Sequence, residues 1–244
     1  MKHAGMKHAA LRREIVGCAR RMDALGIYRG TSGNISVRTP SGFLITPTGF
    51  AAEDLTPASI VEMGRNGRPK GRLLPSSEWR FHRDIYAERP DCRAVVHTHS
   101  TFATVLSCLR REIPPFHYMV AKAGGRAIAC APYATFGTEK LSQAALAALS
   151  GRKACLLANH GSIAVGDSLK SAARLAAEVE ALAEQYWRAL QAGEPVLLSE
   201  AEMDVVVEKF RTYGVQPGAT RPRPAAGRKK PALARESSRK RAKG

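Results

Sequence analysis

Two apolar segments of this chain end in histidine. One is RAVVHTH at residues 93–99, and the other is ACLLANH at residues 154–160. Short apolar runs of this kind indicate buried strands, and in a strand residues i and i+2 point to the same side. His97 and His99 should therefore leave the end of the first strand together, and His160 follows the second. Two imidazoles that face one way are either core residues or metal ligands, whereas three with an open fourth position are the pattern of a catalytic zinc site.

Segments with helical spacing of apolar residues separate these strands. The spacing predicts helices over residues 10–25, 77–88, 101–109, 138–149, 169–192 and 199–213, and strands over residues 34–38, 43–46, 59–63, 93–98, 127–131 and 154–158. Residues 39–42, TPSG, are a turn signal that joins the first two strands as a hairpin. A chain of 244 residues is long enough for one α/β domain with a sizeable core. We therefore predict one domain, residues 1–214, with a central, mostly antiparallel sheet between helices.

Composition excludes several classes of protein. Hydrophobic residues make up 44% of the chain, as in globular proteins, and no apolar run reaches the length of a membrane span. The first residues, MKHAG, contain no apolar segment that could act as a secretion signal. The five cysteines are scattered without a C-x-x-C pair, which is typical of reduced thiols in a cytosolic enzyme. We therefore expect a cytoplasmic location and no membrane partner.

The positive charge of the chain is concentrated at the C-terminus. The formal net charge is +17, and residues 215–244 contribute +9 of it through ten Lys or Arg residues and a single acid, Glu236. This segment is rich in proline and has almost no large apolar groups, so burial cannot offset the entropy of ordering it. We predict a disordered basic tail. Such a charge run is either simply solvated or attracts polyanions such as nucleic acid weakly, as an accessory property.

A pair of serines stands at the start of the predicted helix 77–88. Ser76 and Ser77 lie beside backbone N–H groups that have no partner within the helix, so they form either a plain N-cap or a site for an anion such as phosphate. Glu78 follows, and a carboxylate there is either an ordinary partner of the helix dipole or, if a metal lies nearby, a catalytic base. We expect His82, four residues further on, to be a packing residue.

Two loops rich in small residues can bring the backbone close to a ligand. The loop RGTSGNIS at residues 29–36 contains Asn34, which offers both a donor and an acceptor. The turn ITPTGF at residues 45–50 contains the hydroxyl of Thr48 and the flexible Gly49. Each is ordinary as a turn, but together with the serine pair and the three histidines they indicate a phosphorylated substrate that is bound through a metal.

Eight short motifs follow one another along the chain. They are GTSGN (30–34), TPTG (46–49), PSSEWRFH (75–82), HTH (97–99), IPPFHYM (113–119), CAPYATFGT (130–138), HG (160–161) and EKFRTYG (208–214). In this order they resemble the class II aldolase/adducin family, and the resemblance covers roughly residues 8–214. It implies a three-layer α/β/α sandwich and a homotetramer of C4 symmetry with active sites between subunits. The basic tail has no counterpart in the family.

The resemblance also assigns roles to residues. The residues that match the zinc ligands are His97, His99 and His160. The residues that match the phosphate-binding positions are Asn34, Thr48, Gly49, Ser76 and Ser77. Glu78 matches the acid/base beside the metal. Tyr118 matches a tyrosine that reaches the active site of the neighbouring subunit, and Tyr213 matches a mobile C-terminal tyrosine.

The reaction that the resemblance implies is a zinc-dependent retro-aldol cleavage. A ketose 1-phosphate of the L-fuculose 1-phosphate type would break between carbons 3 and 4, giving dihydroxyacetone phosphate and lactaldehyde. Zinc would act as a Lewis acid on the substrate oxygens, so no Schiff-base lysine is needed. The alternatives within the family are a zinc-dependent dehydratase or decarboxylase and a pentulose-5-phosphate 4-epimerase, although the epimerases carry Asp where this chain has Glu78. Retention of this acid and of the three histidines argues against a non-catalytic, adducin-like interaction protein.

Overall fold

The computed structural model describes residues 6–210 and 212–213, and the predicted tail lies outside the described residues. The helices are α1 (Ala9–Ala24), α2 (Trp79–Glu88), α3 (Thr101–Cys108), α4 (Glu139–Ala148), α5 (Leu169–Ala192) and α6 (Glu200–Phe210). The strands are β1 (Asn34–Thr39), β2 (Gly42–Ile45), β3 (Val61–Gly64), β4 (Pro69–Lys70), β5 (Ala94–Thr98), β6 (Cys130–Ala131), β7 (Ala154–Leu157) and β8 (Gly161–Gly166). A 3-10 helix spans Tyr118–Ala123. Among the described residues, no helix combines the length and the hydropathy of a transmembrane segment.

The strands form a single eight-stranded sheet in the order β4-β3-β2-β1-β5-β8-β7-β6. Neighbouring strands run antiparallel, except that β6 runs parallel to β7. Strand β5 therefore lies at the centre, between β1 and β8. This position fixes what stands beside its C-terminal end, because in antiparallel pairs the end of one strand meets the start of its neighbour.

Side chains that alternate along the central strands divide the core into two layers. Val96 packs in a cluster that includes residues of α1, α3, α5 and α6. Val95 packs in a second cluster that includes residues of α2 and α4. Strand geometry explains the split, since successive side chains point to opposite faces of the sheet. The predicted α/β/α sandwich with a mostly antiparallel sheet is confirmed.

Strand β8 is the main element that the sequence analysis missed. Its sequence, GSIAVG, begins and ends with glycine and has only two β-branched residues, so its composition does not indicate a strand. It is a strand because β5 and β7 supply backbone partners on both of its sides. Boundaries also differ: the strand predicted over 127–131 is reduced to Cys130–Ala131, and the helix predicted from residue 77 begins at Trp79.

Candidate metal centre and active site

The three histidines come from two adjacent strand ends. His97 lies in β5, and His99 follows directly after that strand. His160 precedes β8, whose residue Ser162 pairs with Thr98 of β5. The end of β5 and the start of β8 therefore meet at one edge of the sheet. This register brings His160, which lies about sixty residues further along the chain, beside the other two.

The three imidazole rings form a nearly equilateral triangle. The ring centroids of His97 lie 4.8 Å from those of His99 and of His160, and the latter two are 4.7 Å apart. The rings meet nearly edge to face, with interplanar angles of 74° to 89°. Nε2 of His97 lies 2.9 Å from Nε2 of His99. The nitrogens thus point toward a common centre, as ligands of one ion must.

Glu78 completes this group from the entrance of helix α2. Its Oε2 lies 3.1 Å from Nε2 of His97, and its Oε1 lies 3.2 Å from Nε2 of His160. One ligand atom from each of the four residues lies within 4.8 Å of the others. Glu78 is only 6% exposed. Three imidazoles and a carboxylate are a donor set that suits a divalent cation.

The hydrogen bonds around the group fit a metal as well. Nδ1 of His97 lies 2.9 Å from the carbonyl oxygen of Ser162. A carbonyl only accepts, so Nδ1 carries the hydrogen and the lone pair of Nε2 faces the centre, which is the usual orientation of a histidine ligand. Oε1 of Glu78 is buried and makes no well-formed hydrogen bond with any described residue, although Nε2 of His160 lies 3.2 Å away. A buried carboxylate oxygen without a well-formed hydrogen bond is costly, and a cation bound between it and the imidazoles would satisfy it.

The electrostatics of the group also favour metal binding. Burial, followed by the electrostatic effect of the neighbouring His97 and His160, lowers the pKa of His99 to about 3, so this imidazole is neutral and able to ligate. Burial alone would raise the pKa of Glu78. Interactions with His97 and His160 outweigh burial and hold that pKa below its ordinary value, so the carboxylate is ionised.

Two glycines allow the backbone to pass close to the histidines. A Cβ on Gly161 would lie 2.3 Å from the carbonyl oxygen of Thr98, which no packing could accommodate without a shift of backbone. Gly33 has φ +89°, and a Cβ there would lie 2.7 Å from the carbonyl oxygen of His97. Gly161 of the HG motif and Gly33 of the GTSGN motif are therefore required by the close approach of neighbouring chain segments to β5.

The predicted phosphate-binding loops lie next to each other. Ser76 N–H donates to the carbonyl of Thr46 at 3.0 Å, and Thr48 N–H donates to the carbonyl of Leu74 at 3.3 Å. These bonds place Thr48 and the following glycine beside the serine pair. Thr48, Gly49 and Ser77 are exposed, while Ser76 is buried and its hydroxyl oxygen accepts a bond from the backbone of Glu78 at 3.3 Å. Their role toward phosphate stays a prediction.

Asn34 lies at the metal centre rather than apart from it. It is the first residue of β1 and pairs with His97 across the strands. Its Nδ2 donates to Oε2 of Glu78 at 3.0 Å, and its Oδ1 accepts from Nε2 of His82. The second hydrogen on Nδ2 remains available to a ligand, and the predicted contact of Asn34 with phosphate stays a prediction.

His82 takes part in a polar network that the sequence analysis did not foresee. It is fully buried, as expected of a packing residue, and its ring stacks on Phe81. Its Nδ1 also lies 2.6 Å from the hydroxyl of Ser36, which in turn lies 2.7 Å from the hydroxyl of Tyr86. The signal in the sequence was spacing, since residues 78, 82 and 86 share one helix face and residues 34 and 36 share one strand face.

The two predicted catalytic tyrosines lie on the surface near α6. Tyr118 is half exposed and stacks on Phe210, with ring centroids 6.4 Å apart. Tyr213 is largely exposed, and its ring centroid lies 5.2 Å from that of Phe210. Within the described residues, both tyrosine rings contact Phe210, and neither makes an aromatic contact with a histidine of the metal centre. The catalytic roles of the two tyrosines stay predictions.

The metal centre does not lie in either of two clefts that the described residues line. These clefts have volumes of about 600 and 750 Å³, and the only predicted site residue that lines either of them is Tyr213, in the second. Glu78 and the three histidines are absent from both linings.

Comparison with known proteins decides the family. The family described as "Class II Aldolase and Adducin N-terminal domain" matches residues 13–187. The chain belongs to the class II aldolase and adducin family. It is an enzyme of the class II aldolase type, and the adducin-like alternative is set aside by the catalytic relatives described next.

Similar class II aldolases cover nearly the whole described part of the chain. A "5-methylthioribulose-1-phosphate/5-deoxyribulose-1-phosphate aldolase" of Rhodospirillum rubrum is 60% identical over 205 residues, which is 84% of this chain and 93% of that protein. An "L-fuculose phosphate aldolase" of Escherichia coli is 50% identical over 212 residues, 86% of this chain and 99% of that protein. A solved structure of "L-fuculose 1-phosphate aldolase" superposes with a TM-score of 0.80 at 40% identity, covering 83% of this chain and 96% of that one.

Proposed function

We propose that this class II aldolase cleaves a ketose 1-phosphate by a zinc-dependent retro-aldol reaction. The products would be dihydroxyacetone phosphate and an aldehyde. The observation that carries the proposal is the convergence of Glu78 on the three imidazoles, with four ligand atoms within 4.8 Å of one another. Family membership supplies the reaction class, and the relatives named above are aldolases of ketose 1-phosphates.

Zinc is the ion that we assign to this centre. His97, His99 and His160 would hold it through neutral nitrogens, and Glu78 would share it or leave the position open to substrate. When bound, the cation would stabilise the negative charge that develops on the substrate oxygens as the carbon–carbon bond breaks. The donor set supports zinc because imidazole nitrogens suit it better than they suit calcium or magnesium.

Two residues of the chain would move the protons. Breaking the bond between carbons 3 and 4 requires that the hydroxyl on carbon 4 lose a proton and that carbon 3 gain one. We assign the first step to Tyr118 from a neighbouring subunit. We assign the second to Glu78, which in the reverse direction would remove the same hydrogen as an ionised carboxylate. Its burial beside Asn34 keeps the carboxylate in one orientation.

The phosphate of the substrate would bind at the paired loops. Thr48, Gly49 and Ser77 offer exposed hydroxyl and backbone groups beside the entrance of α2, and the positive end of that helix favours an anion. Ser76 and Asn34 would support the same site from positions next to Glu78. This assignment follows the family's phosphate-binding positions.

We further propose that the active site is completed by a second subunit of a C4 homotetramer. The metal centre lies outside the two clefts of the subunit, and Tyr118 is half exposed. Tyr213 would close over the site from the C-terminal segment. In this arrangement Tyr118 of the neighbouring subunit would accept the proton from the aldehyde half of the substrate. The residues of the metal centre and of the phosphate loops would bind the dihydroxyacetone phosphate half.

The substrates named for the two relatives share the half that binds here. L-fuculose 1-phosphate, 5-deoxyribulose 1-phosphate and 5-methylthioribulose 1-phosphate all give dihydroxyacetone phosphate when cleaved between carbons 3 and 4, and they differ only in the aldehyde. We therefore propose the ketose 1-phosphate as the substrate class, with L-fuculose 1-phosphate and the two ribulose 1-phosphates as the members to compare.

A substrate panel tests this proposal. The zinc-loaded full chain is incubated with the three ketose 1-phosphates and with a pentulose 5-phosphate, and dihydroxyacetone phosphate is detected by a coupled assay. We expect release from the 1-phosphates only, and its abolition by a chelator with recovery on adding zinc. The ratio of kcat/KM values would identify the preferred aldehyde half. Failure to release dihydroxyacetone phosphate from any of them, or epimerisation of the 5-phosphate instead, would contradict the proposal.

A further inference from the structure

A buried chain of hydrogen bonds leads from the metal centre into the core. It runs from Glu78 through Asn34, His82 and Ser36 to Tyr86. All five residues are at most 6% exposed, and two of them are fully buried. Helix α2 supplies two members, its N-cap residue Glu78 is a third, and strand β1 supplies the other two. The network therefore fastens the helix to the sheet at the point where the acid enters the active site.

The direction of every hydrogen bond in the network follows from its first member. An ionised carboxylate only accepts, so Asn34 must present Nδ2 to Glu78 and Oδ1 to His82. Nε2 of His82 must then carry a hydrogen, and Nδ1 must accept one from Ser36. The hydroxyl oxygen of Ser36 is left to accept from Tyr86. The hydrogen bonds therefore all run in one direction, toward the carboxylate.

Two features favour orientation over proton conduction as the role of this network. The asparagine amide between His82 and Glu78 is a poor proton carrier, so a proton cannot readily pass along the chain. Burial lowers the pKa of His82 to about 3, which keeps the ring neutral and able to donate at one nitrogen while accepting at the other. Only this form matches both of its neighbours.

We propose that His82 is a positioning residue of the aldolase reaction: its Nε2–H fixes the Asn34 amide, and the amide holds the carboxylate of Glu78 toward the metal centre. The role in turnover rests on the function proposed above. Without the donor on His82, the Asn34 amide can rotate and present its oxygen to Glu78, which would repel the carboxylate. The acid would remain present but would no longer be held in one position.

Two neutral substitutions of His82 separate this role from simple filling of the core. In His82→Gln the side-chain amide nitrogen can take the place of Nε2 and donate to Asn34. In His82→Asn the shorter side chain reaches only the place of Nδ1, so it can accept from Ser36 but cannot reach Asn34. Both substitutions remove the ring that packs on Phe81 and differ from each other by one methylene, so the difference in packing between them is small and is measured by thermal unfolding.

The experiment uses the full chain loaded with zinc or with Co²⁺. For His82→Asn we expect kcat to fall by about 10- to 100-fold, the usual cost of losing a group that orients a metal-site residue, with KM little changed. His82→Gln should recover most of that loss. Thermal unfolding of the two variants should be similar, and metal content should equal that of the wild type, because the three histidines are intact. Ser36→Ala removes the hydrogen bond between Ser36 and Nδ1 of His82 but keeps the imidazole ring. It should show a smaller fall in kcat than His82→Asn.

A readout without substrate keeps the two proposals distinguishable. The visible absorption of the Co²⁺ protein reports the groups around the ion, and Glu78→Gln defines its change when the carboxylate is lost. We expect His82→Asn to shift toward the Glu78→Gln spectrum and His82→Gln to resemble the wild type. This pattern in a protein that cleaves no ketose 1-phosphate would support positioning and refute the proposed function. Equal kcat values and equal spectra for the two His82 variants would refute positioning, whatever the substrate.

Discussion

At the scale of single residues, the proposed chemistry depends on Glu78. Its carboxylate is buried, lies 3.1 and 3.2 Å from two imidazole nitrogens, and is held by Asn34 at 3.0 Å. Interactions with His97 and His160 keep it ionised despite burial, as its lowered pKa indicates. A group that is charged, oriented and next to a cation is suited to remove or add a proton on an adjacent carbon.

Replacing this acid should therefore stop the chemistry and preserve the fold. We expect Glu78→Gln to bind zinc through the three histidines and to unfold at a similar temperature, while kcat falls by roughly 10²- to 10⁴-fold, as for a lost general acid/base. The second measurement is the exchange of a dihydroxyacetone phosphate hydrogen with solvent, which should also be lost. A variant that exchanged this hydrogen at the normal rate would show that another residue is the base.

At the scale of elements, the metal centre is made by the junction of β5 and β8. His97 and Ser162 are joined by a hydrogen bond across this junction, and Gly161 lets the two backbones approach. Strand β8 therefore does more than complete the sheet. It supplies the carbonyl that fixes the tautomer of one proposed ligand, His97, and its first residue follows another proposed ligand, His160.

A single methyl group at this junction should disturb the centre. In Gly161→Ala the new Cβ would lie 2.3 Å from the carbonyl oxygen of Thr98, so one strand must move. We expect a loss of stability of about 1–3 kcal/mol, the usual cost of overpacking, together with weaker zinc binding. Thermal unfolding and metal analysis of the purified protein measure both effects.

Gly193→Ala is the matched control for this substitution. Gly193 follows helix α5, its backbone is extended, and no atom lies within 4 Å of the position of a Cβ. The control should leave stability and zinc content unchanged. If Gly161→Ala behaved like the control, the close packing of β5 and β8 would not be what holds the ligands in place.

At the scale of the whole molecule, the described part of the chain resembles known aldolases, whereas the basic tail is distinguished by its charge. The family match covers residues 13–187, and the alignment with the aldolase of Escherichia coli covers 212 residues, which is 86% of this chain. The positive charge of residues 215–244 is known from the amino-acid sequence only. Tyr213 stands just before this segment. The position of that tyrosine defines where truncation should begin to affect activity.

Two truncations test the division. Removal of residues 215–244 should leave kcat and KM unchanged, whereas removal from residue 211 onward should impair turnover because it deletes Tyr213. Binding of a polyanion such as heparin should be lost in the first truncation and, in the full chain, should weaken steeply between roughly 50 and 200 mM salt as counterion release predicts. Loss of aldolase activity on removing only residues 215–244 would mean that the tail contributes to the site.

The sequence by itself determined the local features of this protein. Helical spacing and apolar runs identified most of the helices and strands, because those patterns reflect which side of an element is buried. The pair His97 and His99 followed from the two-residue period of a strand. The small residues around Asn34, Thr48 and Ser76 indicated loops that approach a ligand, although not that Asn34 would bond to the acid. These inferences need only neighbours within a few residues.

Only the tertiary structure decided how distant residues meet. Strand β8 exists because β5 and β7 pair with it, and that register places His160 beside His97. The link between His82 and Glu78 depends on the packing of α2 against β1, since Asn34 of that strand stands between them. A sequence pattern records the period of one element, but the register and packing between elements are set by contacts between residues far apart in the chain, and those contacts make the site.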